Sequence, residues 1–127
     1  MIIYKESFIK NAPSERDEQV TFFNQLRKHK PHLGEIAIHI KNEGKRNINQ
    51  VNEDKANGMV TGAVDIVIPG APTLLIELKK RSKRAKVSDA QVNYMESASR
   101  QGAICYVCYG WEAAMEAVEE WENARRG

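Results

Sequence analysis

The chain has 127 residues, 42% of them hydrophobic and 28% charged, which fits one globular domain spanning 1–127 and excludes a disordered or low-complexity segment. Its net charge of +2 does not mark a nucleic-acid binder by composition alone. No apolar stretch is long enough to cross a membrane, and "MIIYKESFIK" lacks a signal peptide's cationic start and long apolar middle, so a cytoplasmic location is expected.

Charge is unevenly placed. "KKRSKRAK" (79–86) has six cations in eight positions, whereas "WEAAMEAVEEWE" (111–122) is acidic. One face is expected to be positive and another negative.

The first strong element is "PSERDEQVTFFNQLRKHKP". Ser14 reads as a helix cap with Asp17 as its capping-box partner, and Pro31 closes the far end. Val20, Phe22, Phe23 and Leu26 define an apolar face. Glu15 and Gln19 fall within that face, and Glu18 lies at its edge. "EIAIHIKN" (35–42) alternates Ile36, Ile38 and Ile40 with Ala37, His39 and Lys41, as a half-buried strand does. His39 there reads as a strand residue facing its neighbours, with a ligand role as the competing reading. The polar stretch that follows reads as loop, with a short helix near 48–57. Gly58 and Gly62 allow backbone turns ahead of Asp65.

"AVDIVIP" and "TLLIELKK" read as strands joined by "PGAP" into a hairpin. "VSDAQVNYMESASRQG" reads as a helix capped by Ser88 and ended at Gly102. "AICYVCYG" is an apolar strand, and its place after a helix predicts a parallel crossover onto "LLIEL". Cys105 and Cys108 have C-x-x-C spacing, but no second pair completes a zinc site. Residues three apart on a strand also point to opposite faces, so two buried, reduced thiols are expected. In the last helix, Ala114, Val118 and Trp121 form a core stripe. The order α-β-β-β-α-β plus a C-terminal helix predicts an α/β fold with a mixed central sheet and helices on both faces.

Glu77 and Lys79 sit at the end of a strand that otherwise reads as buried. Two residues apart, they share a face. Burying both charges without partners would cost several kcal/mol. A structural ion pair or a solvated strand end is the plain explanation. Asp65 opens the preceding hairpin strand and can return close to Glu77, and two converging carboxylates repel unless a cation separates them. Hard oxygen ligands suit Mg²⁺ or Mn²⁺. With Lys79 beside them and "KKRSKRAK" next in sequence, these are the parts of metal-assisted phosphodiester hydrolysis on a polyanion.

Asp65…Glu77-Leu78-Lys79 resembles the PD-(D/E)xK nuclease motif. Further along the chain, Glu15…Gln19, "KNEGKR", "GMVTGAVD", "ELK" and "SDAQ" occur in the order that resembles the VRR-NUC branch, over about residues 14–110. One departure is Val64, where that family usually has proline before the Asp; the change bears on rigidity rather than chemistry. The resemblance implies a restriction-endonuclease-like core and an Mg²⁺- or Mn²⁺-dependent DNA endonuclease, often directed at branched DNA. Small standalone members resemble phage-encoded homodimers akin to Holliday-junction resolvases, which would place the protein in a host-cell cytoplasm.

By that resemblance, Asp65, Glu77 and the Leu78 carbonyl are metal ligands, and Lys79 is the base or water-orienting residue. Glu15 joins them from the helix, with a dipole-favoured surface Glu as its plain alternative and Glu18 as its competitor. Gln19 is a supporting hydrogen-bonder. Gln91 supports the site or simply closes a capping box with Ser88. Lys45, Arg46, Lys80, Lys83, Arg84 and Lys86 are candidate phosphate contacts, or for Lys45 and Arg46 a solvated loop. The alternative function is a non-catalytic nucleic-acid-binding module with a nuclease-like fold. The complete Asp65/Glu77/Lys79 set argues against it.

Overall fold

The computed structural model describes residues 1–41 and 47–126. In chain order the elements are β1 (Ile2–Lys5), α1 (Glu15–His29), α2 (Pro31–Gly34), β2 (Ile38–His39), α3 (Ile48–Ala56), β3 (Ile66–Ile68), β4 (Leu74–Lys79), α4 (Asp89–Arg100), β5 (Ile104–Tyr109) and α5 (Trp111–Arg126).

The apolar runs on either side of the Pro69–Pro72 turn pair as expected. β3 and β4 are antiparallel, with Ile66 opposite Ile76 and Ile68 opposite Leu74. α4 then carries the chain back so that β5 lies parallel to β4, with Leu74 beside Ile104 and Lys79 beside Tyr109. The five-stranded mixed sheet has the order β1-β5-β4-β3-β2.

Side-chain alternation sorts the core into two layers. Leu74, Ile76 and Leu78 face α1 and α5, where they meet Phe22, Leu26, Val118 and Trp121. Leu75 faces the other way, toward Met95 of α4, and Glu77 and Lys79 follow it on that side. Trp121 also ties α5 to the hairpin turn, its Nε1–H donating to the Pro72 carbonyl at 2.8 Å. Cys105 and Cys108 are free, buried and split between the two layers, as strand alternation requires.

Three details depart from the sequence expectations. The N-terminal residues form β1, which pairs parallel with β5 (Ile2 beside Cys105). The expected strand over 35–42 contracts to Ile38–His39, paired only with β3. Pro31 occupies the first turn of α2, and the turn continues past that helix, with the Ile36 and Ala37 N–H groups both donating to the Leu33 carbonyl. β2 is an edge strand, and Ile38 is 52% exposed while Ala37 packs against the core. Lastly, Val20 turns out of the apolar face of α1 and is 43% exposed.

Among the described residues, no helix is long and apolar enough to cross a membrane. Gly58 and Gly62 both have positive φ, +91° and +83°, which bends the chain from α3 toward Asp65. A Cβ on Gly58 would meet nothing, whereas one on Gly62 would lie 2.4 Å from the Ala90 carbonyl oxygen of α4. Gly58→Ala should therefore cost only the backbone strain, about 1 kcal/mol, and Gly62→Ala clearly more. Urea unfolding of the two variants checks this; equal losses would contradict the close approach.

Candidate active site

Extending the β3–β4 register one pair past Ile66 and Ile76 sets Asp65 opposite Glu77. Side chains opposite each other share a face. Glu77 is 1% exposed, and Asp65 is half-buried. The third carboxylate arrives from α1. Ser14 caps that helix, its Oγ accepting from the Asp17 N–H at 3.1 Å, and Glu15 follows in the first turn. Glu15, Asp65 and Glu77 each bring an oxygen within 4.8 Å of the other two.

Hydrogen bonds hold two of these groups. The Leu78 N–H donates to Asp65 Oδ2 at 3.0 Å. In a strand the N–H and C=O of one residue leave on the same edge, so the Leu78 carbonyl also points toward the Asp65 side. Gln91 Nε2 donates to Glu77 Oε2 at 3.0 Å. Glu77 Oε1, by contrast, is buried with no hydrogen-bond partner among the described residues. Lys79 Nζ lies 3.8 Å from Glu77 Oε2. An orphaned buried carboxylate oxygen beside two further carboxylates fits a hard divalent cation.

Electrostatics records the crowding. Burial, then the neighbouring Asp65 carboxylate, push the Glu77 carboxyl up to about 9, with Lys79 opposing. Burial and Asp65 also raise Glu15, again against Lys79.

Gln91 makes the cap contacts and a contact with Glu77 at once. Its Oε1 accepts from the Ser88 N–H at 2.9 Å, and its own N–H donates to Ser88 Oγ at 3.1 Å, completing a capping box. The cap occupies the amide oxygen and so turns the amide nitrogen toward Glu77.

Glu18 differs from expectation. Placed at the edge of the α1 face by its sequence position, it is 1% exposed. Arg81 Nε donates to its Oε2 at 2.8 Å, and the Trp111 N–H donates to its Oε1 at 3.3 Å. Glu18 thus ties α1 to the residue two beyond Lys79 and to the start of α5, while Glu15 reaches the cluster. Arg81 also bonds Glu112 at 3.3 Å, which takes one cation of "KKRSKRAK" out of the exposed set. A run of like charges carries no sign of which member is buried, so sequence reasoning missed Arg81.

Lys80, Lys83, Arg84 and Lys86 are exposed in the segment after β4. Lys83 Nζ sits 6.0 Å from the Phe8 ring centroid. Lys45 and Arg46 lie outside the described residues. Gln19 is one turn along α1 from Glu15 and lines a cleft of about 300 Å³ with His39. His39 Nδ1–H donates to the Asp65 carbonyl at 3.0 Å. Val64, where proline was anticipated, is fully buried beside Met95 in the layer under α4.

A carboxyl raised in the folded state holds its proton in the native protein after the unfolded chain has lost it. Stability of the cation-free protein should therefore fall as pH rises from about 4.5 to about 9. Glu77→Gln removes the buried charge. It should flatten that fall and raise the alkaline melting midpoint by about 5 °C or more. Thermal scans across the pH range in chelator test this; parallel profiles for the two proteins would contradict it.

No family model matches the sequence. No curated protein matches it at a significant level. Among solved structures the chain is similar to one described as a "VRR_NUC domain protein", with a TM-score of 0.73 and 21% identity over 88% of this chain and 89% of that chain. The chain has the VRR-NUC fold, an α/β core of the restriction-endonuclease type with an open mixed sheet.

Proposed function

We propose that the protein is a divalent-metal-dependent endonuclease that hydrolyses DNA phosphodiester bonds. The observation that carries this reading is the Glu15/Asp65/Glu77 cluster, with oxygens within 4.8 Å of one another and Lys79 Nζ 3.8 Å from Glu77. A structural ion pair needs one carboxylate for one lysine. Three carboxylates, one of them with a buried oxygen that has no hydrogen-bond partner among the described residues, exceed that.

Asp65, Glu77, Glu15 and the Leu78 carbonyl would hold Mg²⁺ or Mn²⁺. Such an ion, when bound, acidifies water and draws negative charge from a phosphate oxygen. The remaining work falls to the chain. Gln91 fixes Glu77 through Oε2 and leaves Oε1 free to face the cluster. Lys79, on the same strand face, orients the attacking water and offsets charge growing on the phosphate in the transition state. Water attacks phosphorus and releases one proton to solvent, the P–O bond to the leaving sugar oxygen breaks, and that oxygen takes up a proton from solvent, so that one water is divided between the two ends. Lys80, Lys83, Arg84 and Lys86 leave the site on the same stretch of chain and would contact neighbouring phosphates.

The same reading includes preference for branched DNA, with the four-way junction as the leading substrate, and action as a homodimer. A domain of 14.4 kDa has little surface for reading base sequence, and two symmetric centres suit cutting of two strands.

A cleavage assay with Mg²⁺ or Mn²⁺ on a four-way junction, a splayed flap, a linear duplex and a single strand tests the proposal. Lys79→Ala should lose at least about a hundredfold in rate while still binding DNA. Paired symmetric nicks on the junction alone would support the dimeric, branch-selective form. Full activity in Lys79→Ala would remove that residue from the mechanism. Binding without cutting by the unaltered protein would leave a nucleic-acid-binding module instead of an enzyme.

A further inference from the structure

We propose that the cleft between α1 and β2 binds an unpaired nucleobase of the strand held at the carboxylate cluster, an inference that rests on the nuclease reading. The cleft has a volume of about 300 Å³. Its near end adjoins the site already described. Gln19 lies one helical turn from Glu15, and His39 bonds the Asp65 carbonyl at 3.0 Å. A strand whose phosphate sits at the cluster therefore passes the mouth of the cleft.

The chemistry of the lining suits a base. Val20 and Ala37 give an apolar surface beside the buried Phe23 ring, which is 9% exposed. The Arg27 guanidinium carbon lies 5.4 Å from the Phe23 ring centroid, so a planar cation rests against that surface. Gln19 and Asn24 contribute amides, which donate and accept as base edges require. Among the described residues, none that lines the cleft is acidic and Arg27 supplies positive charge, so a polyanion's base can approach. A phosphate alone has no use for the apolar surface, and an apolar peptide has none for the two amides. Single-strand binders combine the same features: planar or apolar faces for stacking, with cations along the backbone.

The cleft stays open because the sheet ends at β2 and Val20 turns outward. A base within a continuous duplex must leave its stack to enter, whereas one beside a branch is already free to do so. Occupancy would thus favour flaps and junctions over plain duplex.

The test uses the Lys79→Ala protein, so that probes are bound and not cut. Fluorescence anisotropy measures its affinity for a splayed-flap oligonucleotide and for copies carrying one abasic residue at each unpaired position near the branch. One position should lose about tenfold in affinity when its base is removed. Asn24→Ala or Val20→Leu, added to Lys79→Ala, should weaken the intact probe and leave the abasic probe unchanged. Both positions are exposed, and alanine favours a helix, so folding is not at stake. No sensitive position, or equal weakening of both probes, would overturn the subsite and leave the nuclease reading standing. A change of oligomeric state in Val20→Leu without a change in base dependence would also overturn it, by making this face a contact between copies. Failure to bind any probe would overturn the nuclease reading itself.

Discussion

Two carboxylates facing each other across a hairpin, one of them almost fully buried, set the terms for the rest of this fold. The β3–β4 register that pairs Ile66 with Ile76 leaves no other place for Asp65 than opposite Glu77. Both sit at the end of the sheet where apolar packing from α4 gives way to polar contacts. Left alone, the pair is unfavourable: burial first, and then the Asp65 carboxylate, push the Glu77 carboxyl up to about 9. The surrounding groups reduce the repulsion without removing it. Lys79 opposes it from the same strand face, and the Leu78 N–H holds Asp65. One Glu77 oxygen still has no partner among the described residues, the arrangement expected of a site whose last partner is a cation.

Accuracy at such a site comes from the elements that deliver it. The capping box of α4 aims Gln91 at Glu77, so helix initiation and site geometry rest on one amide. The Glu18–Arg81 pair joins α1, the exit of β4 and the start of α5 at one buried point. A buried ion pair of this kind adds little net stability but is costly to break on one side only. Its position, one turn after Glu15 and two residues after Lys79, links the placement of both groups. The positively charged segment after Lys79 then has a divided role. Arg81 turns inward to hold the fold, and its neighbours face solvent.

Local patterns in the sequence were the readable ones. The hairpin, α4, the parallel return of β5 and the Asp65/Glu77/Lys79 set follow from strand alternation, turn residues and caps within a few dozen residues. Gln91 was posed as a choice between cap and site; an amide has two ends, one bonded to the Ser88 N–H and the other to Glu77. Failures came where the deciding partner is distant or the element is short. Ile2-Ile3-Tyr4 is too brief to show a period, so β1 was missed. The alternation of Ile36, Ile38 and Ile40 implied a covered face, but periodicity cannot say that a strand lies at an edge. A helical wheel puts Glu15 within the apolar face and Glu18 at its edge, yet Glu18 is the one buried, by an arginine 63 residues away. Branch preference and pairing of copies depend on surfaces that no local pattern encodes.

The central claim is that Glu15, Asp65 and Glu77 form one cation site. Calorimetric titration with Mn²⁺ tests it most directly, comparing the unaltered protein with Glu15→Gln, Asp65→Asn and Glu77→Gln. The account predicts saturable binding to the unaltered protein and a loss of at least about tenfold in affinity in each variant, since even the loss of an outer partner costs about that much. Unchanged Mn²⁺ affinity in Glu77→Gln, or no binding to the unaltered protein, would contradict it.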